Sequence, residues 1–398
     1  MADFGGDLEA FRAEARRWLE ENLPASLRGK EEVMMEAPDA NPGADAELWK
    51  KRLGEKGWGT PTWPKAYGGG GLSAAEARVL ASEMNRIGAT NPIASMGTSM
   101  FGPTLLEYGT EAQKQRHIPP IVRGELRWCQ GYSEPGAGSD LASLITKCED
   151  AGDHYVVNGQ KIWTSGAHYA DWCFCLVRSD PKAKKHEGIS FVLIDMHQPG
   201  VEARPILLIN GTSPFCETFF TNARVEKNNL VGELNHGWTI AKRLLQFERQ
   251  NISAGLGGGG NAQASVEQIA QKYIGVDKAG RLADADLRSR IIAHRMEVRA
   301  FGLTGQRAAL EAKSNQGPSA ATSIMKYAGA KIAQERTELI LEAMGHQGLG
   351  WTGDGFTADE VNAVRTWLRA KANSIEGGSS EVNLNVVSKR VLNLPDPK

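Results

Sequence analysis

Trp172-Cys173-Phe174-Cys175-Leu176-Val177-Arg178 decides how the middle of this chain folds. The run is apolar between its ends and short for a helix. On a strand its side chains alternate between two faces, which puts Cys173 and Cys175 on the same one. Residues 189–195, 201–209 and 217–225 are similar short apolar runs, separated by Gly, Pro, Asn or Asp. Residues 154–158 carry β-branched valines and lead into Asn158-Gly159, a hairpin-turn signal. Together these runs read as strands of an all-β module.

Helical patterns flank the module on both sides. Leu8, Phe11, Ala15, Trp18 and Leu19 fall on one helix face. Residues 48–57 form a shorter helical candidate. Ser73 followed by Glu76 has the form of a capping box that opens a helix running to about Gly88. The loop 61–71, with Pro61, Pro64 and four consecutive glycines, reads as an inter-helix turn, because no Lys-Ser/Thr follows the glycines to cradle a phosphate. After the β module, residues 238–253, 261–273, 284–313, 320–344 and 361–371 have helical spacing and composition. The glycines of 256–260 sit inside this helical part and read as small residues where a helix passes close to another backbone or a ligand, with a flexible hinge as the other reading. The expected fold class is α+β: a helical domain over 1–126, a central β-barrel-like domain over 127–237, and a C-terminal helical bundle over 238–398.

Composition excludes several functions. The 398 residues carry 46 Lys+Arg against 47 Asp+Glu, a formal net charge of −1, which argues against nucleic acid or an anionic membrane as partner. With 41% hydrophobic and 23% charged residues, the chain is an ordinary globular one, sized for two to three domains. No apolar run approaches the roughly 18 residues of a membrane span. Residues 1–19 show no signal-peptide core, and five cysteines, an odd count, read as reduced thiols in a cytoplasmic protein. Cys173 and Cys175 have no second pair with which to hold zinc, so no metal site is expected.

The most specific segment is Gln130-Gly131-Tyr132-Ser133-Glu134-Pro135-Gly136-Ala137-Gly138-Ser139-Asp140. Read alone, it is a loop of tight turns closed by Asp140. Gly159-Gln160-Lys161-Ile162-Trp163-Thr164-Ser165 follows, and Gly377-Gly378-Ser379-Ser380-Glu381-Val382 lies near the C-terminus. In this order, and with the helical–β–helical layout, the three segments resemble the signatures of the acyl-CoA dehydrogenase family: Thr/Ser-Glu-Pro-x-x-Gly-Ser-Asp, Gly-x-Lys-x-Trp with Thr/Ser two residues on, and Gly-Thr-Ser-Glu-Ile. Tyr108-Gly109-Thr110 with Gln113-Lys114, and Val231-Gly232-Glu233 with Gly237-Trp238, extend the resemblance across the chain.

The resemblance implies a flavoprotein that binds FAD. It would place Gln130, Tyr132 and Ser133 against the isoalloxazine, the Trp163-Thr164-Ser165 segment on its other side and near N5, and Ser379 and Glu381 at further flavin contacts. Ser139 would face the coenzyme A arm. Met96, with Met84, Met100 and Phe101, would line the acyl pocket or fill core. His168 is either a proton carrier or a structural histidine. Tyr132 departs from the aliphatic residue the family often has there.

The implied reaction removes two hydrogens from an acyl-CoA thioester: a carboxylate takes the α-proton and flavin N5 takes the β-hydrogen as hydride. Glu248, in the pair Glu248-Arg249, is the expected base. Branches with that pair have a small residue in the C-terminal base slot, and Gly377 fills the slot here. Glu376 is the runner-up, one residue early. Gly377 would offer its backbone N–H to the thioester oxygen, and Arg249 would lie near the coenzyme A or hold a salt bridge. The family's Arg-x-x-Phe-Gly diphosphate grip is absent after the base helix, and Glu342 replaces a usual Gln in the adenine-side loop. The implied partners are the acyl-CoA, an electron-transfer flavoprotein and further subunits, as a homodimer or homotetramer or in a heterotetramer. Rival readings are an oxidase, monooxygenase or desulfinase on the same scaffold, or a non-catalytic subunit.

Overall fold

The computed structural model describes residues 4–29, 43–257, 265–314 and 322–395. Two compact units divide the chain: residues 1–206 with 213–247, and residues 207–212 with 248–398.

The first unit begins with α1 (Phe4–Asn22), α2 (Ala44–Glu55) and α3 (Ala74–Ile87). Ala15 and Leu19 of α1 are fully buried in one core with Trp49, Leu53, Leu80 and Met84, so the apolar stripe reads as written. Ser73 caps α3 as expected: its hydroxyl accepts from Glu76 N at 3.2 Å while the Glu76 carboxylate accepts from Ser73 N at 2.7 Å. α4 (Gly102–Tyr108) and α5 (Glu111–Val122) follow a π-helical turn over Gly97–Phe101.

The strands are β1 (Trp128–Gly131), β2 (Lys147–Asp150), β3 (His154–Ser165), β4 (Trp172–Arg178), β5 (Ile189–Asp195), β6 (Val201–Ile206), β7 (Phe215–Glu226) and β8 (Leu230–Val231). They form one mixed sheet in the order β6-β7-β3-β2-β4-β5-β8, with β1 added parallel to β4. β4 is buried on both faces, and its alternation divides two cores. Phe174 and Leu176 pack with Phe101, Ile118 and Ile121 of the helical side. Cys173, Cys175 and Val177 pack on the opposite side with Val157, Phe220 and Val225.

Two expectations need correction. Asn158-Gly159 is not a hairpin turn: β3 runs through it, with a register shift against β7 between Val157 and Gly159. Asn158 spends its side chain on Asn222, accepting from the backbone N at 2.8 Å and donating to Oδ1 at 3.2 Å. A Cβ at Gly159 would stand 2.6 Å from Thr146 Oγ1, so close packing, not a turn, requires the glycine. β6 also stops at Ile206, three residues short of the predicted run. Leu208 N donates to Thr212 O and Gly211 N to Leu208 O, which turns the backbone away from the ladder.

α6 (Gly237–Gly257) starts in the first unit, where Ile240, Ala241 and Leu244 join the sheet core. The second unit continues with α7 (Val266–Ile274), α8 (Ala285–Ser314), α9 (Thr322–Met344), α10 (Ala358–Ala370) and α11 (Ser380–Val386). Its core joins Val266 and Ala270 of α7, Leu287 and Ile291 of α8, and Leu339, Ile340 and Ala343 of α9. Residues 258–260 of the predicted glycine stretch lie outside the described residues. No described helix is long and apolar enough to cross a membrane.

Candidate active site

In the first unit, the 130–140 segment leaves β1 at Gly131, where a Cβ would come within 2.8 Å of Cys173 Sγ and 2.9 Å of Cys175 Sγ. Only glycine lets β1 lie this close to β4. Gln130 is half-buried on the strand, and Tyr132 turns inward, its ring edge-on to Phe174 and Phe191. Glu134 and Ala137 exchange two backbone hydrogen bonds, both 3.0 Å, closing a tight turn over Pro135 and Gly136. Ser139 is exposed. Asp140 holds Ser143 Oγ at 2.6 Å and the Lys185 ammonium, and Lys185 foremost keeps its carboxyl below the usual range.

The 159–165 segment is tied to this turn from below. Lys161 is fully buried, and its ammonium donates to Tyr132 O at 3.1 Å and to Glu134 Oε1 at 2.8 Å. Ile162 N donates to Ser133 O at 2.9 Å. Glu134 also accepts from Ile145 N at 2.7 Å and Thr146 N at 2.9 Å. Burial pushes the Glu134 carboxyl up, but Lys161 and these amides outweigh it, and the group sits below its ordinary value.

A register shift between Lys161 and Thr164 breaks the β3–β7 ladder and changes which side chains face out. Trp163, inside the shift, has φ +60° and is 54% exposed. A left-handed conformation costs an L-residue about 1–2 kcal/mol, and strain of this kind is concentrated at ligand sites in proteins generally. Thr164 is fully buried, whereas Ser165 is half-buried. Among the described residues, neither the amide nor the hydroxyl of Ser133 has a hydrogen-bond partner, and the same holds for the Ser165 hydroxyl. An open indole beside unspent serine donors is the donor set that a planar heterocycle with polar edges requires, so these residues fit a flavin ring. His168 has its Nδ1 3.1 Å from Cys216 Sγ, a structural contact.

Of the predicted acyl-pocket residues, Met100 and Phe101 are buried, and Phe101 stacks on Trp128 at 3.9 Å. Met96 is half-buried against the same core, while Met84 belongs to the separate α1–α3 core.

In the second unit, the 371–378 segment is held by α9. Gln334 Nε2 donates to Ala370 O at 3.1 Å, Lys371 O at 3.2 Å and Ser374 Oγ at 3.2 Å. The buried Lys326 reaches Asn373 O and Gly378 O. Gly377 has φ +61° and Gly378 +91°, so this turn needs two residues without Cβ. Ser379 caps α11, accepting from Val382 N at 3.3 Å, and Glu381 is exposed in the first turn. Glu376 is paired with Arg369. α6 carries Glu248 and Arg249, whose side chains lie outside the described residues.

Where the family's diphosphate grip would fall, Asp277 closes a small loop: it accepts from Ala279 N at 2.8 Å, Arg281 N at 3.0 Å and Arg281 Nε at 2.9 Å. Arg281 is thereby committed within the loop. Glu342 is committed too, paired with Arg290 at 2.6 and 2.7 Å. Lys161 and Glu134 lie within the quoted motifs, yet nothing in the sequence gives either a role. Charged residues 27 positions apart give no local sign that they meet in a core.

Three family models match along the chain: acyl-CoA dehydrogenase N-terminal domain over residues 6–125, middle domain over 129–223 and C-terminal domain over 235–392. The chain is 35% identical to the acyl-CoA dehydrogenase IpdE1 of Mycobacterium tuberculosis over 393 residues, covering 98% of each protein. Among solved structures, it resembles the Tcur3481-Tcur3483 steroid ACAD, with 30% identity, a TM-score of 0.77 and 98% of each chain covered. It also resembles the ChsE4-ChsE5 complex from Mycobacterium tuberculosis, with 28% identity, a TM-score of 0.74 and 100% of each chain covered.

Proposed function

This chain belongs to the acyl-CoA dehydrogenase family, whose members are flavin-dependent oxidoreductases acting on acyl-CoA, and on that premise we propose that it is an FAD enzyme that desaturates an acyl-CoA thioester between its α and β carbons. The observation that carries this reading is the pair of segments joined through Lys161, which presents unspent Ser133 and Ser165 donors beside the open Trp163 ring. When bound, FAD supplies the hydride acceptor that no side chain can provide.

The chain's own residues do the rest. Gln130, Tyr132, Ser133 and Trp163-Thr164-Ser165 hold and orient the ring, with Ser379 and Glu381 as further contacts. Glu248 takes the α-proton, a general-base step worth about 10²–10⁴ in rate. The Gly377 N–H stabilises the negative charge that grows on the thioester oxygen. Ser139 and Arg249 lie toward the coenzyme A, and Met96 toward the acyl group. Similarity to a protein titled a steroid ACAD supports a bulky, polycyclic acyl group as substrate. Electrons pass on to an electron-transfer flavoprotein.

The working form is an oligomer. α8 leaves Ile292, Met296 and Leu303 exposed at spacings of four and seven, a seam suited to a neighbouring subunit. The self-contained Asp277–Arg281 loop supports a partner that holds the FAD diphosphate in another way, and a heteromeric assembly suits this as well as a homotetramer.

The test is anaerobic titration of the purified yellow protein with acyl-CoAs, from short straight chains to steroid-derived ones. Bleaching of the flavin with formation of the enoyl thioester is expected. A colourless protein that takes up no FAD would end the proposal, and peroxide formation without enoyl product would favour an oxidase.

A further inference from the structure

We infer that Lys161 is a positioning residue, which builds the flavin-facing turn before any cofactor arrives; this deepens the reading above and rests on it. A fully buried ammonium is costly unless every strong interaction open to it is made. Here one carboxylate, Glu134, neutralises it, and a second bond goes to a backbone carbonyl, Tyr132 O. That carbonyl immediately precedes Ser133, whose amide and hydroxyl are the unspent donors. The bond from Lys161 therefore fixes the peptide plane that aims the Ser133 amide. The same strand residue is followed by Ile162, whose N–H holds Ser133 O. The Ser133 peptide is thus clamped on both sides by two consecutive residues of β3.

Glu134 has a separate role. Besides Lys161, it takes the amides of Ile145 and Thr146 and so anchors the far end of the turn to the approach to β2. The ion pair joins three chain segments, 132–137, 145–146 and 161–162. The pair adds no net charge beneath the turn, and the role inferred for it is to position the turn's backbone. The strained Trp163 lies two residues after Lys161, and the clamp is one of the contacts that hold the neighbouring backbone in register.

The two partners give different outcomes when removed. Lys161→Met and Glu134→Gln both break the ion pair, but only Lys161→Met releases the Tyr132 carbonyl; Glu134→Gln leaves the Lys161 ammonium on that carbonyl, with an amide oxygen in place of the carboxylate. Lys161→Met is expected to weaken FAD binding at least tenfold and to change the visible circular dichroism of the bound flavin, while Glu134→Gln stays within about threefold with a parental spectrum. The double variant Lys161→Met/Glu134→Gln leaves no unpaired charge. It is expected to melt close to the parent as apoprotein and still to bind FAD weakly. Equal losses in the two single variants, or parental FAD affinity and spectrum in the double variant, would reduce the pair to a structural one and overturn the inference.

Hydrogen exchange on the unaltered apoprotein tests the same claim without a variant. The amides of Glu134, Ala137, Ile145, Thr146 and Ile162 should be protected before FAD is added. Exchange within seconds that slows only on FAD addition would mean the cofactor, not Lys161, organises the turn. If the parent takes up no FAD yet shows this protection, the functional reading fails while the preformed turn stands.

Discussion

Arg369 grips both carboxylate oxygens of Glu376, with Nη1 3.2 Å from Oε1 and Nη2 3.0 Å from Oε2. A bidentate guanidinium fixes the orientation of the carboxylate and ties it to α10. Glu376 is thus committed to Arg369, which supports the proposal that Glu248 is the base. Glu248→Gln is expected to lower the rate of flavin reduction by acyl-CoA by about 10²–10⁴-fold, and Glu376→Gln by less than about tenfold, read by anaerobic stopped flow. The opposite ranking would move the base to Glu376.

Glu83 carries the acid sensitivity of the α1–α3 core. It is buried and accepts from Arg16 at 3.1 and 3.2 Å, Arg86 at 2.7 Å and Arg12 at 3.1 Å. Arg16 foremost, with Arg86 and Arg12, overcomes burial and lowers its pKa from 4.5 to about 2. Because the folded value is depressed, its contribution is complete above about pH 4.5 and is lost as pH falls toward 2. Glu83→Gln should cost about 2 kcal/mol at neutral pH, below the figure for an enclosed pair because the arginines reach solvent. Chemical denaturation from pH 7 to 3 should show the parent approaching the variant at the acid end. Parallel pH curves would contradict this.

Trp163→Gly should separate strain from binding. Glycine adopts φ +60° freely, so the apoprotein should melt no lower than the parent. Loss of the aromatic contact should weaken FAD binding roughly threefold to tenfold. A lower melting temperature with unchanged FAD affinity would make Trp163 a packing residue.

All five cysteines are buried and unbridged. Burial pushes the Cys148 thiol up to about 12 and those of Cys173 and Cys175 well above the ordinary range. Ellman's reagent at pH 8 should label none of the five within minutes in the native protein, and all five in denaturant. A fast-reacting native thiol would show the sheet core to be open.

Met296→Glu and Leu303→Glu put a charge into the exposed seam of α8. If that seam meets another subunit, light scattering should show a fall in molar mass while far-ultraviolet circular dichroism stays parental. Unchanged mass would place the interface elsewhere.

The extent to which the fold could be read from sequence follows the range of the forces involved. The stripe from Phe11 to Leu19, the Ser73–Glu76 box and the alternation of β4 depend on neighbours a few residues apart, and all three appear as written. Asn158-Gly159 misled because its residues answer to Asn222 and Thr146, which lie on other strands or loops. Local turn chemistry was overruled by a distant contact.

The order of helices, strands and helices was set by residue type and spacing, because periodicity and backbone preference act within one element; the loop residues proposed to meet a ring were named only by the resemblance of their motifs to those of the family. The tertiary structure alone decided that Lys161 and Glu134 meet in a core, that Trp163 turns outward at a left-handed φ, and that Glu376 and Glu342 are each held by an arginine. Those choices depend on burial, and burial is decided by what the rest of the chain brings against each side chain.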